Sequence, residues 1–367
     1  MDALILSCGT GGGHDSAARA MREALERRGH RATLLNPYSL IGPKVEQGVN
    51  RAYISLVQKA TPAFGLVYAA GEAVRRLPLP SPVYAANRFA AEPMAEYLRQ
   101  HPCDVAVMTH LFPAELFTWL ERHGTPVPKR MLIATDYVCI PFMEECECDA
   151  YVIPAEVLRG DFEAHGIPRG RIHPLGIPVS SAFSATISKS EARLALGLGT
   201  DAPIILVTGG SIGVGQIERI LSYLMEEAEQ ARLIVICGNN DALRRRLSER
   251  CGERAQILST TDQMALYMRA ADLVMTKPGG LSSTEAAVTG VPLMHLPAIP
   301  GCEPYNVRFF MEHGMSVPIR ATRKSVREAL ALIASPDARE AMIACQRCAM
   351  PRDAADSISR LAERLVE

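Results

Sequence analysis

Short, unbroken apolar runs recur along this chain, separated by stretches in which apolar positions return every three or four residues. The first run, residues 3–7, is followed by Ala17, Ala20, Met21, Ala24 and Leu25, which share one face of a helix predicted over 16–28. Gly29 and His30 end that helix, and residues 31–35 form a second strand. Further runs at 105–108, 131–134, 151–153 and 172–175 continue the series, with a helix at 156–164. After a connection at 180–201 holding a short helix at 190–196, the alternation becomes regular. Strands are predicted at 204–207, 233–237, 255–258, 272–275 and 292–295, and helices at 216–229, 241–250, 262–269 and 283–289. Apolar strands alternating with helices predict parallel sheets covered on both faces, here in two doubly wound α/β domains, 1–182 and 183–350. The chain from Tyr305 onward reads as mainly helical, and its final segment, 351–367, is expected to form a helix that crosses back to the first domain.

Residues 44–99 interrupt this rhythm. They read as long helices broken by Pro62 and by a proline cluster at 78–82, an insertion that a plain doubly wound domain does not need. Seven basic side chains stand against four acidic ones, with Leu, Val, Tyr and Phe between them. Apolar burial plus charge attraction would let such a segment lie on an anionic membrane surface; a helical cover packed on the sheet, basic side outward, explains the same pattern.

Three strand-to-helix turns are rich in glycine. The run from Thr276 to Asn306 contains Pro278-Gly279-Gly280-Leu281-Ser282, with Ser282 to Thr284 expected to cap a helix and Glu285 expected in its first turn. Unpaired N–H groups at a helix start favour an anion, glycines let it approach, and a nearby carboxylate can bind ribose hydroxyls. The N-terminal turn carries Gly11, Gly12 and Gly13 before His14, which lies at a helix mouth where a neutral imidazole, suited to general-base work, is favoured. The third turn, with Gly209, Gly210 and Gly213, lacks the Gly-Lys-Ser/Thr ending of a phosphate-binding P-loop, and its spacing also misses the dinucleotide fingerprint. In open parallel sheets the carboxyl ends of strands carry the site, which makes His110 and Asp136 candidates beside His14. The plain alternatives are a capping aspartate and a buried, hydrogen-bonded histidine.

Composition narrows the field. The chain has 367 residues, 48% of them apolar, and a net charge of −1, which describes a globular protein without the basic field that nucleic acid requires. Ten scattered cysteines with no secretory signal ahead of them read as reduced thiols in the cytoplasm. The pairs Cys146/Cys148 and Cys345/Cys348 lack a matching half-site for zinc. No run approaches the roughly 20 apolar residues of a membrane span.

Taken together, GGGHDSAARAMREAL near the start, TDY at 135–137, GIPV at 176–179, and KPGGLSSTEAAVTGVPLM followed by PGCEPYN resemble the monogalactosyldiacylglycerol synthases and processive diacylglycerol glucosyltransferases. That family is related to the enzyme that adds N-acetylglucosamine to lipid I. The resemblance implies a GT-B fold of two Rossmann-like domains facing a central cleft, with acceptor and membrane contact in the first and a UDP-sugar donor in the second. It implies inversion at the anomeric carbon, no cofactor and no obligatory metal. By position, His14 matches the proposed base. Gly279, Gly280, Leu281 and Ser282 match the diphosphate contact, and Glu285 the ribose anchor. Gly209, Gly210 and Gly213 match a glycine loop beside the donor, while Glu303 and Asn306 match a segment meeting its sugar and phosphates. The family's glutamine before that glutamate is Cys302 here, which removes an amide able to donate and accept, and 138–149 lacks the family's usual His and Trp.

The expected protein is thus an inverting glycosyltransferase that moves a hexose from a UDP-sugar to a lipid, diacylglycerol, on the cytoplasmic face of the membrane. A UDP-sugar 2-epimerase of the same architecture, a UDP-N-acetylglucosamine-dependent transferase with another acceptor, and a non-enzymatic nucleotide-sugar sensor are the alternatives.

Overall fold

The computed structural model describes residues 1–9, 12–42, 44, 48, 61–75, 80–199, 201–210 and 216–367. Gly11 and Gly213, both expected in glycine loops, lie outside these residues, as does much of the insertion. The chain forms two units: Met1–Ser180 with Pro300–Cys302 and Asp353–Glu367, and Ser181–Ile299 with Glu303–Arg352.

The first unit is built on strands β1 (Asp2–Leu6), β2 (Arg31–Leu35), β3 (Val105–Met108), β4 (Lys129–Ile133), β5 (Ala150–Ile153) and β6 (Ile172–Pro174). They form one parallel sheet in the order β2-β1-β3-β4-β5-β6. Side chains alternate between two cores. Ala3, Ile5, Val105, Val107, Met131 and Ile133 point to a face that also buries Met21 and Leu25 of helix α1 (Gly12–Arg27), together with Ile358 and Leu361 of the C-terminal helix Ala354–Val366. Leu4, Leu6, Ala106, Met108 and Leu132 point to the other, where Met94 of helix α2 (Pro82–Gln100) and Phe117 of helix α3 (Leu111–Arg122) cover them. Burial on both faces is why β1 and β3 read as unbroken apolar runs, whereas the edge strand β2 is partly exposed.

Within the insertion, α2 begins at the proline cluster. Ser81 caps it by accepting from the Tyr84 N–H at 3.0 Å, and Pro82 takes the first helical position, where a missing N–H costs nothing. Tyr84, Asn87, Ala90, Ala91 and Met94 are buried, so α2 is a cover on the sheet; Phe89, on the opposite side, is 67% exposed.

The second unit holds β7 (Ile204–Thr208), β8 (Arg232–Ile236), β9 (Ala255–Leu258), β10 (Leu273–Thr276), β11 (Leu293–His295) and β12 (Val317–Pro318). This sheet is also parallel, in the order β12-β11-β10-β7-β8-β9. Strand β12 departs from the expectation of a helical tail, because a two-residue edge strand is too short to carry a periodic signal.

Each sheet has one topological switch point, where consecutive strands leave in opposite directions. In the first it lies between β1 and β3, in the second between β7 and β10. The crevice outside the carboxyl ends of such strands is where open α/β sheets bind ligands.

Candidate functional site

The first unit's switch point gathers His14, Thr109, His110 and Thr135. Helix α1 starts at Gly12, earlier than expected, so His14 falls in its first turn. Two side chains hold that turn: Ser7 donates to Asp15 Oδ1 at 2.6 Å, and the Thr109 hydroxyl donates to the His14 carbonyl at 3.0 Å. His14 Nδ1 lies 2.7 Å from the Thr109 carbonyl oxygen and 3.1 Å from Thr135 Oγ1. A carbonyl cannot donate, so Nδ1 carries the hydrogen, and the neutral ring keeps its basic lone pair on Nε2.

His110 stands edge-on to His14, the ring centroids 4.5 Å apart at 74°. It caps α3, its Nδ1 accepting from the Phe112 N–H at 3.1 Å. Burial first, and then the neighbouring His14, hold His110 well below the usual histidine range, so it stays neutral with its hydrogen on Nε2. The structure therefore gives the two imidazoles opposite tautomers. Asp136 follows Thr135 just beyond β4 and is half-buried.

Beneath α2 lies a polar network the sequence did not reveal. Tyr38 donates to Asn87 Oδ1 at 2.9 Å, and Asn87 Nδ2 donates to Glu115 Oε2 at 3.0 Å. Glu115 is fully buried on α3, and its Oε1 has no hydrogen-bond partner among the described residues. Burial, reinforced by Glu145, pushes its carboxyl up to about 9, so it is a neutral acid at pH 7.

The second unit's switch point is formed by the ends of β7 and β10. Helix α4 (Ile217–Glu227) follows β7, and Gly210 has φ +67°, which favours glycine. Helix α5 (Gly280–Thr289) follows β10, and here the expected capping is corrected. The N-cap is Gly279, with extended backbone and no side-chain cap, and Ser282 to Thr284 lie inside the helix. Glu285 consequently sits in the second turn, half-buried, not in the first. Thr284 turns its hydroxyl back to the Gly280 carbonyl at 2.7 Å, and the first helical bond runs from the Ser283 N–H to the Gly279 carbonyl at 3.1 Å. The N–H groups of Gly280, Leu281 and Ser282 thus have no partner within the helix, the arrangement that suits an anion.

Helix α6 (Glu303–Glu312) places Glu303 and Asn306 beside this turn. Asn306 is fully buried and donates to the Pro278 carbonyl at 2.9 Å, which braces the Pro-Gly-Gly turn. Glu303 is 6% exposed and accepts from Lys277 Nζ at 2.9 Å. Lys277 was missed in the sequence, although it is a cation at the end of the strand that leads to the glycines, and that position was its signal.

Of the cysteine pairs, Cys146 and Cys148 are buried in the apolar core, and burial holds both thiols protonated, Cys148 up to about 12. Among the described residues no group of three or more His, Cys, Asp or Glu could hold a metal ion.

Comparison with known proteins gives this geometry a family. Residues 14–179 match monogalactosyldiacylglycerol (MGDG) synthase, and residues 204–358 match the glycosyltransferase family 28 C-terminal domain. The processive diacylglycerol beta-glucosyltransferase of Bacillus subtilis (strain 168) is 22% identical, over 91% of this chain and 87% of its own. A probable chloroplastic monogalactosyldiacylglycerol synthase 2 of Oryza sativa subsp. indica is 26% identical, over 89% of this chain and 72% of its own. Among solved structures, MurG of Acinetobacter baumannii superposes with a TM-score of 0.63 at 15% identity, covering 99% of both chains, a likeness of GT-B fold. The two family matches between them take in both domains, and the chain belongs to the family of monogalactosyldiacylglycerol synthases and processive diacylglycerol glucosyltransferases, glycosyltransferases of family 28.

Proposed function

We propose that this glycosyltransferase moves a hexose from a UDP-sugar to the free hydroxyl of diacylglycerol, with inversion at the anomeric carbon and His14 as the base. The observation that carries the assignment is the bond from His14 Nδ1 to the Thr109 carbonyl, which leaves Nε2 as the basic nitrogen. In the proposed step Nε2 takes the acceptor's hydroxyl proton while that oxygen attacks the anomeric carbon. The bond from that carbon to the β-phosphate oxygen breaks, and UDP leaves with the electron pair. The N–H groups at the start of α5 meet the developing charge, so the step requires no metal. His110, neutral and locked with its hydrogen on Nε2, is a donor beside the base. Gly209, Gly279 and Glu285 belong to the donor side in this reading, and Glu285 reaches the ribose from the second helical turn.

The test is UDP release measured with UDP-glucose or UDP-galactose and diacylglycerol vesicles, with and without EDTA. The wild type should release UDP only with lipid present and should be indifferent to EDTA. His14→Ala should lose about 10²- to 10⁴-fold in rate while keeping its circular dichroism and its UDP affinity. Undiminished transfer by that variant would remove His14 from the mechanism.

A further inference from the structure

At the second unit's switch point the lysine deserves a role of its own. Its stem crosses Gly210, where an added Cβ would come within 2.7 Å of Lys277 Cε. Its ammonium sits 3.3 Å from the place a Cβ on Gly279 would take. One glycine of the loop expected beside the donor and one expected to contact its diphosphate thus also make room for a cation, and the second of them is the N-cap of α5. An ammonium beside the positive end of a helix is unfavourable unless an anion accompanies it. Here that anion is Glu303, whose Oε1 accepts from Lys277 at 2.9 Å and whose Oε2 accepts from the Ile299 N–H at 2.9 Å. Both carboxylate oxygens are engaged, and the Oε1 lone pair turned toward Lys277 is taken while the ion pair holds.

We propose that Lys277 is the side-chain cation for the donor's diphosphate and that Glu303 stands in for that diphosphate until the donor arrives. Donor binding then exchanges partners: Lys277 passes to the β-phosphate, and Glu303 Oε1 is released to a hydroxyl of the sugar. No covalent bond changes in this exchange. It rests on the UDP-sugar reading given above, and it makes the same ion pair both the anion site and the trigger for gripping the sugar.

Calorimetric titration with UDP and with UMP tests it, because their affinity ratio isolates the β-phosphate. Lys277→Met, which keeps a stem to lie on Gly210, should weaken UDP by about tenfold or more, the worth of a charge-assisted hydrogen bond, and leave UMP within about twofold. Lys277→Arg should retain most of the ratio. Glu303→Gln keeps an acceptor for the Ile299 N–H but removes the competing charge, so it should bind UDP more tightly than the wild type while transferring sugar more slowly. A merely structural ion pair would instead weaken every ligand in both variants. If UDP binds the wild type but the ratio survives Lys277→Met, or Glu303→Gln binds UDP more weakly, the exchange is overturned while the donor reading stands. If the wild type binds neither nucleotide, the donor reading itself falls.

Discussion

A histidine that donates from Nδ1 to a main-chain carbonyl has one nitrogen left for chemistry, and the partner that decides which one is 95 residues away. His14 was legible in the sequence because three glycines and a helix start surround it; its tautomer was not, since Thr109 and Thr135 reach it only through strand pairing. Glu115 shows the same limit more strongly. In sequence it is one more glutamate on a helix, whereas in the fold it is a buried neutral acid. Below the ordinary carboxyl range both folded and unfolded chains hold this proton, and the acid costs no stability. As pH rises, the unfolded chain ionises first, so stability is lost progressively until about 9, where the folded state ionises too. Glu115→Gln keeps an acceptor for Asn87 and cannot ionise. Denaturant unfolding should therefore show the variant gaining on the wild type between pH 5 and pH 8, by about 1 kcal/mol or more. A difference that stays constant with pH would show that Glu115 is not held neutral.

At the scale of elements, the amphipathic face of α1 and the glycine turn before α5 were both legible, and the starts of those two helices were not. Ser and Thr ordinarily mark an N-cap, yet α5 is capped by Gly279, because an extended glycine can cap and Thr284 bonds back inside the helix. The C-terminal helix Ala354–Val366 shows what a sequence pattern implies and what it omits. Its apolar stripe of Ile358, Leu361 and Ala362 meets Met21, Ala24 and Leu25. Glu363 then closes the contact with a two-pronged bond from Arg28, at 2.8 and 2.7 Å, and one to His30 at 2.7 Å. Arg28, and after it His30, hold the Glu363 carboxyl down to about 2. The bond's contribution is therefore complete above the ordinary glutamate range and fades as pH falls toward 2. The cluster is partly solvated, so Glu363→Gln should cost only about 1 kcal/mol at pH 7 after screening. That gap should narrow when unfolding is repeated at pH 3, and an unchanged gap would rule out the ionic contribution.

For the whole molecule, the insertion is the segment that we propose for membrane contact. No helix among the described residues is long and apolar enough to cross a membrane. The basic count read from sequence overstates the surface charge, because Arg75 is 5% exposed and is bound to Glu72 and Glu144, while Arg99 pairs with Glu96. Outward on the described part stand Leu66, 73% exposed, and Phe89 with the Arg88 guanidinium 5.1 Å from its ring centroid, among other exposed side chains. An apolar ring beside a cation suits an anionic bilayer surface, so we expect peripheral binding there. Flotation with liposomes should show binding that rises with anionic lipid, falls with salt, and weakens several-fold in a Phe89→Ser, Arg88→Ser double variant, on the order of 1 kcal/mol for the lost charge plus the buried ring. Binding that ignores lipid charge and salt would take the insertion out of membrane contact.

Sequence by itself determined the two α/β domains, because strands buried on both faces must be apolar throughout and the helices between them must keep one apolar face. It also placed the glycine turns and His14, since close approach of backbone to a ligand needs residues without side chains. The order of strands, and with it the two switch points, was decided only by tertiary structure, because pairing partners are distant in sequence and similar in composition. That order seats Thr109 against His14 and Lys277 against Gly210, and these contacts turn a histidine into an oriented base and a lysine into a guarded cation.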